Sequence, residues 1–187
     1  MIRLFPILAV LNLTALLVTF VIGMLSKFVD HNLYIDHFSW GLFTAIGTLA
    51  IHCIIFIYFL GTGRWVKEVS LAYELPDEGF YKPTRELKRK SFPPALFAML
   101  IVIAASAAGQ GVQMRVWSWL VHFSLAIITL LINIWAYFVE YRCVSANVKV
   151  IDSVLVEVDR IRAERGLVSN AEALRQEKEA QQNMRVQ

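Results

Sequence analysis

Charged side chains are absent from four long stretches of the sequence. No Asp, Glu, Lys or Arg occurs in residues 4–26, 37–63, 91–114 and 116–139, which are 23, 27, 24 and 24 residues long. A helix of about 20 apolar residues is long enough to cross the hydrocarbon core of a bilayer. A soluble helix of that length would carry a charged face at helical spacing. The gaps therefore exclude a soluble domain and predict four transmembrane helices.

Cysteines and catalytic motifs are also scarce. The chain has two cysteines, Cys53 and Cys143, which are too few for a disulfide framework. It contains neither the His-Glu-x-x-His pattern of zinc proteases nor the Gly-x-x-x-x-Gly-Lys loop that binds nucleotide phosphates. These absences favour a non-catalytic protein over an enzyme.

The fold class that follows is an all-α integral membrane protein. We predict a four-transmembrane-helix bundle over 1–139, with helix 4 extended into a cytoplasmic amphipathic, coiled-coil-like tail over 140–187. Gly61-Thr62-Gly63 is expected to end the second helix, and Pro93-Pro94 to kink the entry into the third. The first charge-free stretch is too long for the hydrophobic core of a typical signal peptide, so we expect a retained helix. The predicted helices cover about 4–26, 38–60, 93–110 and 115–139, with an inner loop at 61–92.

The distribution of Lys and Arg predicts the orientation in the membrane. Seven of them lie in 61–92 and eight follow residue 140, whereas the other two connections hold only Lys27 and Arg115. Positive charge stays on the cytoplasmic side, so both termini should be cytoplasmic. The two outer hairpins contain no glycosylation sequon, which is compatible with a bacterial inner membrane. The net charge of +3 then faces an anionic inner leaflet, so we do not expect a nucleic-acid partner. The predicted lipid headgroup contacts are Arg85, Lys88, Arg89 and Lys90.

The tail carries a short heptad stripe. Its apolar residues alternate in steps of four and three at Val144, Val148, Ile151, Leu155 and Val158, and the next position is Arg162 or Ile161. Our first functional hypothesis is therefore a non-catalytic accessory or scaffold subunit. Through this tail it would form a homo-oligomer or recruit a partner into a membrane complex. The alternative is an amphipathic helix that lies along the membrane or folds back on the inner loop.

Polar side chains inside the bilayer suggest two further hypotheses, because such groups are costly there. Asn12, His52, Asn133 and Glu140 form a candidate intramembrane cluster for a small channel or proton relay. His52 and His122 are candidate ligands of a b-type haem, although seven residues, or about 10 Å of helix rise, separate their depths. We favour hydrogen-bonded structural roles for both histidines over either hypothesis.

The first outer hairpin contains a candidate metal site. Asp30, His31, Asp36 and His37 offer the nitrogen and oxygen ligands that zinc or copper accepts. A solvated hairpin, with Asp36 capping the second helix, is the preferred interpretation.

Overall fold

The computed structural model describes residues 1–186 and is built from helices. Four of them are long and apolar enough to cross a membrane, so the prediction of an all-α protein with four membrane-spanning helices is confirmed at that level. The helices are α1 (Leu4–Phe28), α2 (Tyr34–Ala72), α3 (Tyr81–Gln113), α4 (Trp119–Glu164) and α5 (Asn170–Val186), with a 3₁₀ turn at His31–Leu33.

Aromatic pairs show that α1 and α4 run antiparallel. Phe5 meets Tyr137 with ring centroids 6.1 Å apart, and at the other end Phe28 meets Trp119 at 5.8 Å. Residues 29–33 and 114–118 make the two short connections at this second end, which we call the hairpin end. The opposite end carries Arg3, the α2–α3 connection and the tail, and we call it the basic end.

The outer surface of the bundle is largely apolar, and polar groups are buried among apolar ones inside it, which is the pattern expected in lipid. Large apolar side chains such as Leu11, Ile57 and Leu100 are more than half exposed. Small residues let the helices approach closely, and on α3 the fully buried Ala98 and Ala108 serve this purpose. The interior holds polar groups that lipid could not satisfy, so these groups define the candidate sites.

The prediction that Gly61-Thr62-Gly63 ends the second helix is wrong. α2 continues to Ala72, and α3 begins at Tyr81 with Pro93 and Pro94 inside it. The connection between them is therefore 73–80 rather than the predicted 61–92. Tertiary packing overrides the local breakers, because Val66 is fully buried in a second core that α4 completes.

The apolar side of the tail packs within the chain. Val154 and Val158 join Val66 and Leu75 in this second core, whereas Leu155, which the heptad places in the seam, is 36% exposed. The buried positions recur at helical spacing along one side of α4, and that side packs on the rest of the chain. The α4 part of the tail, up to Glu164, thus packs against the α2 extension and the α2–α3 connection.

Candidate functional site

A cavity of about 550 Å³ lies between the four long helices at the hairpin end. Every one of these helices contributes to its wall. The lining includes Leu16, Gly23, His37, Ala105, His122 and Phe123. An apolar enclosure with a few polar groups is typical of a cofactor or ligand site.

Two histidines face each other at this cavity. His37 lies in the first turn of α2 and His122 in the first turn of α4. Their ring centroids are 5.9 Å apart and their planes are inclined by 70°. The sequence analysis placed His37 in a solvated hairpin, but the structure begins α2 three residues before it and turns its ring inward.

Each of the two imidazoles is held by a backbone carbonyl of a neighbouring helix. His37 Nδ1 lies 3.0 Å from the oxygen of Thr19, and His122 Nδ1 lies 2.9 Å from that of Ala105. A carbonyl oxygen can only accept, so both Nδ1 atoms carry the proton and donate it. In the neutral imidazole the lone pair is then on Nε2, which makes no hydrogen bond with any residue the structure describes. Metal-binding histidines are commonly oriented in this way.

A glycine makes room for each ring. A Cβ atom at Gly23 would lie 2.6 Å from His37 Cε1, and one at Gly109 would lie 3.0 Å from His122 Cε1. Each glycine follows its carbonyl acceptor by four residues, one helical turn later. The α1–α2 and α3–α4 hairpins therefore share one arrangement. The first helix of each supplies a carbonyl and, one turn later, a glycine, and the second helix supplies the histidine that packs against both.

The spacing of the two rings fits a metal between them. Bonds from a metal to an imidazole nitrogen are about 2 Å long, so two imidazoles on opposite sides of one ion have ring centroids about 6 Å apart. Two histidines on facing helices are a standard way to hold the iron of a b-type haem in a membrane bundle. The spacing of the two rings and the adjoining cavity are thus compatible with a haem between them.

Comparison with protein-family models, with curated protein sequences and with solved structures finds no match for this chain. The function must therefore be argued from the site.

The residues of the hairpin-end metal hypothesis are not brought together. Asp30 accepts a hydrogen bond from the backbone of Asn32, His31 Nδ1 donates to the oxygen of Ser26, and Asp36 is exposed. Within residues 1–186, no group of three or more His, Cys, Asp or Glu side chains could hold a metal ion. Only His31 and His37 of the four line the cavity.

The four residues of the predicted intramembrane cluster do meet, in the half of the bundle nearer the basic end. His52 Nδ1 is 2.7 Å from Glu140 Oε1, and His52 Nε2 is 3.1 Å from Asn133 Oδ1. The His52 ring stacks on Tyr137 at 4.8 Å, and the Tyr137 hydroxyl donates to Asn12 Oδ1 at 2.7 Å. Because both His52 nitrogens are engaged here, the structure does not pair His52 with His122.

The orientation of Asn133 fixes one proton of this network. Its Nδ2 donates to the oxygen of Thr129 at 2.8 Å, so its Oδ1 faces His52 and the Nε2 of His52 must donate. A second proton lies between His52 Nδ1 and Glu140. Whichever of the two atoms holds that proton, the pair has no net charge, which is how a fully buried acid and base avoid the cost of an uncompensated ion.

Sequence reasoning missed His37, Gly23, Gly109 and Tyr137 as members of these sites. The signal that could have found the first three is the recurrence of glycine and histidine, with His37 following Gly23 by 14 residues and His122 following Gly109 by 13.

Proposed function

We propose that the protein is a b-type haem membrane subunit that transfers electrons, with His37 and His122 as the axial ligands of one haem. The observation that carries this proposal is the facing pair of imidazoles 5.9 Å apart, each with Nδ1 bound to a backbone carbonyl and Nε2 available. This replaces the pairing of His52 with His122 by one that the geometry allows.

The cavity chemistry supports the same assignment. Phe20 and Phe123 line it, with ring centroids 5.9 Å apart, and offer the apolar contact that a porphyrin face requires. Lys27 lies at the cavity and over the Trp119 ring at 5.7 Å, where it can neutralise a propionate. A haem held by both His37 and His122 would leave no ligand position for a substrate, and it would supply electron transfer.

The location belongs to the same proposal. The excess of Lys and Arg at the basic end supports cytoplasmic termini, which places the haem near the outer leaflet of a bacterial inner membrane. The scaffold hypothesis has weaker support, since the buried side of the tail already contacts α2 and the α2–α3 connection.

The test is a reduced-minus-oxidised absorption spectrum of the full chain, produced with haem available and purified in mild detergent. We expect a b-type spectrum in the native protein and its loss in His37→Ala and in His122→Ala. His31→Ala is the matched control, because His31 also lines the cavity and also donates from Nδ1 to a backbone carbonyl. It should keep the spectrum.

His52→Ala separates the two haem pairings. Retention of the spectrum in this variant supports His37 and His122 as the ligands, whereas its loss only in His52→Ala and His122→Ala would restore the earlier pairing. A featureless spectrum in the native protein would overturn the proposal. The mass from light scattering in the same run would then test the scaffold hypothesis against one 21.3 kDa chain.

A further inference from the structure

A second groove, of about 380 Å³, lies between α2 and α3 at the basic end. It is separate from the haem site, which occupies the opposite end of the bundle. Gly63 of α2 lies next to Thr84 of α3, since a Cβ at Gly63 would be in ordinary van der Waals contact with Thr84 Cγ2 at 3.8 Å. The groove is lined by Phe59, Leu60, Gly63, Arg64 and Lys67 of α2 and by Tyr81, Thr84, Arg85 and Lys88 of α3.

Four of the nine lining residues are cations and none is an anion. Arg64 is paired with Glu68 at 2.8 Å, and both side chains are more than half exposed. Among the residues described, Lys67, Arg85 and Lys88 make no ion pair. Positive charge that converges on a concave surface attracts an anion more strongly than the same charge spread over a convex one.

Thr84 adds a hydrogen-bond donor to the groove. The residue is fully buried, and its hydroxyl has no hydrogen-bond partner within the described part of the chain. Buried polar atoms are normally satisfied, so such an atom calls for an explanation. Rotation of the Thr84 side chain towards the groove would let this hydroxyl donate to an oxygen of a bound phosphate.

The groove also has an apolar side. Leu60 precedes Arg64 by one helical turn towards the membrane and is 56% exposed, whereas Phe59 is fully buried beneath it. A cationic mouth next to an apolar edge matches an amphiphile better than a free inorganic anion. Basic pockets between membrane helices are known to bind anionic headgroups.

We infer that this groove is a binding site for an anionic membrane lipid. Lys67, Arg85 and Lys88 surround the phosphate of the headgroup, Thr84 donates to one of its oxygens, and an acyl chain lies along Leu60. Of the four headgroup-binding residues predicted from the sequence, the inference keeps Arg85 and Lys88. It leaves out Arg89 and Lys90, which do not line the groove.

Native mass spectrometry of the full chain in detergent, titrated with phosphatidylglycerol and separately with phosphatidylcholine, tests this inference. The double variant Arg85→Gln with Lys88→Gln should weaken phosphatidylglycerol binding about thirtyfold, in line with the loss of two charges that face the headgroup. The matched double variant Arg89→Gln with Lys90→Gln removes the same charge from the same helix outside the groove, and it should change binding less than twofold. Phosphatidylcholine should bind weakly to all forms.

Thr84→Val provides a second test that leaves the charge unchanged. It should weaken phosphatidylglycerol binding several-fold while the helix content, measured by circular dichroism, stays native. Equal losses in the two double variants would overturn the inference in favour of diffuse surface charge. Full displacement of the lipid by millimolar inorganic phosphate would overturn it in favour of a soluble anion.

Discussion

The two ends of the bundle use histidine in opposite ways. At the hairpin end, His37 and His122 each donate from Nδ1 to a carbonyl and leave Nε2 at a cavity. Nearer the basic end, His52 has both nitrogens hydrogen-bonded to side chains and is fully buried. The comparison teaches that histidines in one bundle can differ in whether both ring nitrogens are hydrogen-bonded, and that difference decides which of them we propose as ligands.

The largest expected effect comes from filling the space beside a ring at the hairpin end. Gly23→Leu places a side chain where even a Cβ lies 2.6 Å from His37 Cε1, so His37 must move and the haem spectrum should be lost. Gly61→Leu is the control, since nothing lies within 4 Å of a Cβ at that position. A Gly23→Leu protein with a native spectrum would show that His37 is not a ligand.

Breaking the buried His52–Glu140 pair near the basic end should lower stability and leave the spectrum unchanged. Glu140→Ala leaves His52 buried without its partner, and we expect a loss of about 3–5 kcal/mol in the free energy of unfolding. Unfolding in mixed detergent micelles measures this loss. Glu140→Gln keeps a hydrogen-bonding side chain and should cost less than Glu140→Ala. Loss of the haem spectrum in a folded Glu140→Gln protein would contradict the separation of the two ends.

A smaller effect is expected from the single hydroxyl that joins α4 to α1. Tyr137→Phe removes the hydrogen bond to Asn12 but keeps the ring that stacks on His52, so the cost should be about 0.6–1.7 kcal/mol. Tyr141→Phe, at an exposed position one turn later, should cost almost nothing. Equal unfolding free energies in the two variants would show that the Tyr137 hydroxyl contributes nothing to stability.

Features that depend on a single property of each residue, such as its charge or polarity, could be predicted from the sequence. The charge-free stretches predicted the membrane-spanning helices because burying charge in lipid is costly at any position. The polar positions Asn12, His52, Asn133 and Glu140 were recognised for the same reason. Features that depend on two helices were missed: Gly23 and Gly109 acquire their role only from the ring that packs on them.

Local signals also failed where packing opposes them. Gly61-Thr62-Gly63 is a reasonable helix stop, yet Val66 is buried beyond it, and that burial stabilises the continued helix. His37 was assigned to a solvated hairpin because it follows Asp36. The structure shows instead that the exposed Asp36 occupies the first turn of α2, where a carboxylate is favoured by the helix dipole.

The unbroken course of α4 has a mechanical consequence. The helix carries His122 in its first turn and Arg162 in its last, and it contains neither proline nor glycine between Trp119 and Glu164. Sharp helix bends require such residues or an inserted group, so the 46 residues form one continuous helix about 70 Å long. We therefore expect that a displacement of the segment 140–164 would shift His122 relative to His37, because one unbroken helix carries both that segment and His122.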